Sequence, residues 1–258
     1  MACFRASIRS FTMEMDTLVN VVIPYDYFDA QGNPGKYNKV LYLLHGLKQN
    51  ADAWQRMSSA ERYADYYGYA IVMPEVQRSF YTDMAHGPAY FTYLTEELPR
   101  TMHAIFKLPT DPARTFVGGL SMGGYGALKC ALNYPDRYAG AMCFSSGFDL
   151  VTDPDQLMSA YHGRAELEGL TGADLRAKPE DDLYAVIRDF PAGQKKPHLY
   201  IACGTEDYLH QKNTEMRDHL IAGGFDPCYE EWPGSHNWIF WDAALQKGMV
   251  YMAEKCGE

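Results

Sequence analysis

Long apolar runs are missing from this 258-residue chain: no segment approaches 18 consecutive apolar residues, so no membrane span is expected. Basic runs are missing too. The longest is the pair Lys195–Lys196, in a chain whose 23 Lys and Arg face 33 Asp and Glu for a formal net charge of −10. Affinity for nucleic acid or an anionic membrane surface comes from neutralising phosphates, so neither is expected as a partner. The six cysteines, at 3, 130, 143, 203, 228 and 256, contain no CxxC pair, which argues against a zinc knuckle and a thioredoxin-type centre. Cys130, Cys143 and Cys203 lie in apolar segments and read as reduced core residues, although an even count permits three disulfides. The N-terminus lacks the apolar stretch of a secretory signal, and no Asn-x-Ser/Thr acceptor occurs, so a cytoplasmic location is the expectation. Internal repeats, low-complexity tracts and Pro/Gly/Ser-rich linkers are absent as well.

What is present is enough apolar material, 47% of residues, for one sizeable core. Short β-rich runs alternate with longer segments of helical spacing. That alternation implies βαβ units, a mostly parallel central sheet and helices on both faces, in a single α/β domain. Strands are expected at 17–24, 39–44, 70–73, 114–118, 139–144, 198–203 and 228–232, with a turn around 29–35. Helices are expected at 51–67, 90–106, 124–132 and 213–222, the second of them kinked by Pro99. The stretch at about 148–191 is polar, carries Glu180-Asp181-Asp182 and shows no strand signal. It reads as short helices inserted between strands, either a small cap over the site or a plain surface excursion.

Gly119-Leu120-Ser121-Met122-Gly123 is a G-x-S-x-G pentapeptide between a β-branched strand and a small-residue helix. Nucleophilic catalysis needs a hydroxyl held on a tight turn above the sheet, and the flanking glycines permit that backbone. Ser121 is the candidate nucleophile. Its partners should follow in the order Ser, acid, His. Of the downstream histidines only His236 both follows a strand and sits in a Pro-Gly-Ser-His turn, which makes it the candidate general base. The acid should come from Gly204-Thr205-Glu206-Asp207, after the strand at 198–203; Glu206 and Asp207 are adjacent, so one must point away. His45-Gly46-Leu47 ends another strand, so the main-chain N–H groups of Leu47 and Met122 are the expected oxyanion donors. His45 itself reads as a structural hydrogen-bonder.

The blocks LYLLHGLKQNADAW, VMPEVQRSFYTDMAHGPAYFTYLTEELP, FVGGLSMGGYGALKCAL, CGTEDYLHQKN and PGSHNWIFWD together resemble the esterase D family of α/β-hydrolases, in its tributyrin-esterase-like branch. The likeness runs from about Thr17 to Ala244. It implies the α/β-hydrolase fold, a triad at Ser121, Asp207 and His236 with Glu206 as the fallback acid, and hydrolysis of short acyl esters without metal or cofactor. Dimers or higher assemblies are common among such relatives. The family also holds S-formylglutathione hydrolases, feruloyl and cinnamoyl esterases, acetylxylan esterases and mycolyltransferases, so the substrate stays open among them. A catalytically inactive binding module is the rival from another class, against which the complete set of motifs speaks. Trp54, Tyr81 and Trp238 lie near the site loops and are candidates for the substrate pocket, or for packing those loops onto the sheet. Phe80 to Asp83 follows a strand end and is a candidate wall.

Overall fold

Fully apolar strands need cover on both faces, and four of these runs are buried from end to end. The computed structural model describes residues 1–25, 38–148 and 163–256. Its eight strands are β1 Ala2–Ser10, β2 Met15–Ile23, β3 Lys39–Leu44, β4 Tyr69–Pro74, β5 Thr115–Leu120, β6 Gly140–Phe144, β7 His198–Gly204 and β8 Cys228–Trp232. They form one sheet in the order β1-β2-β4-β3-β5-β6-β7-β8. β1 pairs antiparallel with β2 and β2 antiparallel with β4, while every pairing from β4 to β8 is parallel.

The period of two along β3 divides the core. Val40, Tyr42 and Leu44 face one apolar layer, which takes in residues of the helices at 90–106, Met122–Asn133 and His210–Ala222. Leu41 and Leu43 face the other, built from Trp54, Tyr63, Trp241 and Leu245 of the helices Ala53–Met57, Ala60–Tyr67 and Trp238–Lys255. Burying such a layer contributes about 25 cal/mol per Å² of apolar surface, so the two layers dominate stability.

Several elements depart from the sequence expectation. β1 was not anticipated, because an edge strand with mostly exposed side chains carries no continuous apolar run. The helix Trp238–Lys255 was not anticipated either. The helix expected at 51–67 is two helices, Ala53–Met57 and Ala60–Tyr67. Ser58 is extended, its hydroxyl accepts the Ala60 N–H at 3.2 Å, and Asp242 accepts the Ser59 N–H at 2.6 Å, so the break is hydrogen-bonded. The 90–106 helix runs through Pro99 with a wide π-turn at Tyr93–Glu97. Pro99 has no N–H for the Thr95 carbonyl four residues back, and Arg137 donates to that carbonyl instead at 2.9 Å. The turn expected at 29–35 and residues 149–162 of the expected insertion lie outside the described residues. Residues 163–191 hold the short helices Arg164–Thr171, Pro179–Asp181 and Leu183–Arg188.

The short helix Pro179–Asp181 is tied to the helix Met122–Asn133 by a buried ion pair. Lys129, inside Met122–Asn133 and fully buried, donates to Asp181 and to the Tyr81 carbonyl, with its ammonium 3.7 Å from the centre of the Phe91 ring. Removing one member strands the other in an apolar setting. Asp181→Ala is therefore expected to lower unfolding stability by about 3 kcal/mol, read by urea denaturation.

Candidate active site

The site begins with a backbone crossing too close for side chains. Ser121 sits between β5 and the helix Met122–Asn133 with φ 55° and ψ −118°, a region that serine rarely adopts. A Cβ at Gly123 would lie 2.3 Å from the Leu44 carbonyl oxygen, and one at Gly119 would lie 2.6 Å from the Gly123 backbone. Only glycine fits at both positions. The Ser121 N–H donates to the Phe144 carbonyl of β6 at 2.8 Å, which fixes the turn to the neighbouring strand.

The chain brings Ser121, His236 and Asp207 together from three strand ends. His236 Nε2 lies 3.2 Å from Ser121 Oγ, and its Nδ1 lies 2.9 Å and 3.2 Å from the two Asp207 carboxylate oxygens. An ionised carboxylate only accepts, so the network assigns the proton to Nδ1 and leaves Nε2 to receive the serine proton. Asp207 also accepts the Leu209 N–H at 2.9 Å. Burial works to raise the Asp207 carboxyl, but the hydrogen bond and charge of His236, with the Leu209 N–H, outweigh it and hold the group below the ordinary aspartate value.

The neighbouring carboxylate has a different job. Glu206 accepts the Gly234 N–H, and its own N–H donates to the Gly234 carbonyl at 3.0 Å. A Cβ at Gly204 would lie 2.2 Å from that same Gly234 carbonyl oxygen. The loop carrying His236 is thus clamped onto the end of β7. The imidazole is flanked by the Tyr208 ring at 4.7 Å and the Trp241 ring at 4.9 Å between centroids.

The loop after β3 is held by its carbonyls. Trp54 Nε1 donates to the Leu44 carbonyl at 2.9 Å, Tyr81 Oη to the His45 carbonyl at 2.8 Å, and His45 Nδ1 to the Gly46 carbonyl at 2.8 Å. His45 Nε2 accepts the Val76 N–H at 3.2 Å, which fixes that tautomer. The Leu47 N–H that follows makes no hydrogen bond among the described residues. Met122 opens its helix, so its N–H has no intrahelical partner. Both residues line a cleft of about 580 Å³ above Ser121, together with Phe80, Leu120, Tyr208 and Trp241.

Two expected pocket residues are corrected by this arrangement. Trp54 and Tyr81 are 1% and 0% exposed, and neither lines the cleft; they secure the loop after β3 from behind. Trp238, edge-on to Trp54 at 5.1 Å, lines an adjoining side pocket instead. Phe80 does wall the cleft. Tyr208 and Trp241 were missed, although the first directly follows Asp207 and the second lies about one helical turn beyond Trp238. None of residues 163–191 lines the cleft. Among the described residues no cluster of His, Cys, Asp and Glu is arranged to hold a metal, all six cysteines are free, and no helix is long and apolar enough to cross a membrane.

The sheet order, the strained strand–serine–helix turn and the histidine that meets it define an α/β-hydrolase with a serine-hydrolase site. The chain belongs to the esterase family: residues 10–252 match the family model described as "Putative esterase". It is 29% identical to the acetyl esterase of Caldicellulosiruptor saccharolyticus over 98% of this chain and 99% of that one. Among solved structures, the fluorophosphonate-binding serine hydrolase FphF of Staphylococcus aureus superposes with a TM-score of 0.87 at 32% identity, covering 97% of this chain and 98% of that one. The S-formylglutathione hydrolase FrmB of the same organism superposes at 0.85, also with 32% identity and the same coverage.

Two outcomes test the geometry. Gly123→Ala is expected to destabilise the fold by about 2 kcal/mol or more, because the new methyl meets backbone rather than a movable side chain; thermal melting reads it. Because the Asp207 carboxyl is held low in the folded state, its contribution to stability is present above the ordinary aspartate value near pH 4 and is lost as pH falls through the folded value. The stability gap between the parent protein and Asp207→Asn should therefore be open at pH 7 and narrow below about pH 4 in urea denaturation.

Proposed function

We propose that this chain is a serine carboxylesterase that hydrolyses short-chain acyl esters through a covalent acyl-enzyme. One observation carries the reading: the hydrogen-bonded run from Ser121 Oγ through His236 to the buried Asp207 carboxylate. Ser121 attacks the ester carbonyl as His236 takes its proton. The tetrahedral oxyanion is received by the Leu47 and Met122 N–H groups, each worth about 3 kcal/mol of transition-state stabilisation. His236, now charged beside Asp207, hands the proton to the departing alcohol. Water activated by the same histidine then attacks the acyl-enzyme and releases the acid, restoring Ser121.

The partner is a small-molecule ester; a homo-oligomeric state goes with this reading by family likeness, and a cytoplasmic location is proposed with it. The segment at about 148–191 is assigned as an insertion within a single domain. Its Asp181 stands behind the cleft wall, since Phe80 packs on Tyr125 at 5.1 Å and Tyr125 Oη donates to the Asp181 carbonyl at 2.7 Å. A thioester such as S-formylglutathione is the second reading, favoured by the likeness to FrmB.

The deciding measurement is hydrolysis of p-nitrophenyl esters from acetate to decanoate, plus ferulate. Turnover should peak at acetate to butyrate and vanish in Ser121→Ala, which should melt like the parent. Asp207→Asn should lower kcat about 10⁴-fold by favouring the wrong histidine tautomer. Full activity in a folded Ser121→Ala protein would refute the mechanism.

A further inference from the structure

We infer that Asn213 is a positioning residue for the triad: it ties the end of β6 to the loop that carries Asp207, and so fixes the carboxylate that orients His236; this rests on the serine-esterase reading. Asn213 stands in the first turn of the helix His210–Ala222, is 0% exposed and does not line the cleft, so it has no access to substrate. Asparagine is a poor choice for a helix, and burying a carboxamide is costly unless its donors and acceptor are met. Here they are met by the two chain segments on which Asp207 depends.

The first segment is the end of β6. Its ladder with β7 runs to the pair Phe144 and Ala202, and the Ser145 N–H then donates to the Ala202 carbonyl at 2.8 Å. Beyond that point the Asn213 carboxamide takes the place of a strand neighbour. Its Oδ1 accepts the Ser146 N–H at 3.1 Å, and its Nδ2 donates to the Ser146 carbonyl at 2.9 Å. A donor and an acceptor on one partner residue fix which way the amide is turned. The same segment braces the nucleophile: the Phe144 carbonyl accepts the Ser121 N–H, and a Cβ at Gly124 would lie 1.8 Å from Ser146 Oγ. Ser145, between them, is fully buried and held at φ 47°, in the left-handed region. Its hydroxyl makes no hydrogen bond of ordinary geometry, yet it is near enough to the Asp207 carboxylate to interact with it.

The second segment is the acid loop. Asn213 Nδ2 also donates to the Leu209 carbonyl at 2.8 Å, beside the helical bond from its own N–H at 3.0 Å. The N–H of that same Leu209 donates to Asp207 Oδ1 at 2.9 Å. Leu209 is thus held at its carbonyl by Asn213 while its N–H holds the carboxylate. Through three side-chain hydrogen bonds, one residue sets the acid loop against the strand end that fixes the nucleophile turn.

A double-mutant cycle on p-nitrophenyl acetate tests this. Asn213→Leu removes all three side-chain bonds; Asn213→Asp keeps the shape and the acceptor for the Ser146 N–H but loses both donations. Each is measured alone and in the Asp207→Asn background, with kcat taken per folded protein and folding read by thermal melting. Small misplacements of reacting groups are expensive, so each single variant should lose about 10-fold to 100-fold in kcat with KM within about twofold of the parent. In the Asp207→Asn background the wrong histidine tautomer already limits the rate, and the same substitution should cost less than about threefold. Equal losses in both backgrounds, or no loss once unfolded protein is discounted, mark a merely structural residue and overturn the inference. If Asn213→Leu does not fold, Asn213→Asp carries the cycle by itself. A parent protein inactive on every p-nitrophenyl ester overturns the serine-esterase reading, and this inference with it.

Discussion

A helix can stand on the end of a parallel strand only if their backbones touch, and at Gly123 they do. The Leu44 carbonyl occupies the space in which any Cβ would sit. Because the helix Met122–Asn133 is held against β3 at that distance, the strained φ of Ser121 is imposed rather than chosen. The same contact places the first N–H of the helix and the loop that leaves β3 at one cleft. The strained serine turn, the Leu47 and Met122 N–H groups and the cleft they line are thus consequences of one close approach.

Around that contact the protein uses hydrogen bonds to hold loops where β-sheet pairing ends. Three successive carbonyls, from Leu44 to Gly46, are taken by Trp54, Tyr81 and the His45 ring. Tyr81 is held in turn by Lys129, whose charge is matched by Asp181 of the short helix Pro179–Asp181. On the other side of the cleft Glu206 and Gly204 clamp the Gly234 turn, and Asp207 orients the imidazole that this turn delivers. Buried polar groups that are fully partnered in this way cost little and rigidify much. A catalytic geometry that tolerates about half an ångström of error needs such support.

The esterase fold fixes where acyl transfer takes place, while the substrate is chosen by the walls. In this chain the aromatic rings of Phe80, Tyr208 and Trp241 share the cleft walls with Lys48, Gln49 and Lys212.

Ser121, the glycines beside it, the strand before it and the His236 turn were legible because each is local: a few neighbouring residues carry the whole geometric demand. The central strands were legible for the same reason, since a strand covered on both faces is a continuous apolar run. β1 and the break at Ser58 were not, because an edge strand and a helix interruption are settled by partners distant in sequence, β2 in one case and Asp242 in the other. Trp54 and Tyr81 look like pocket residues by their nearness to the site loops. Only packing shows that their polar tips turn to backbone carbonyls while Tyr208 and Trp241 flank the base. The sequence alone determined the class of chemistry and its order along the chain. Tertiary structure decided which of Glu206 and Asp207 faces the imidazole and which aromatic rings face the cleft, because those choices depend on strands that meet only in the folded sheet.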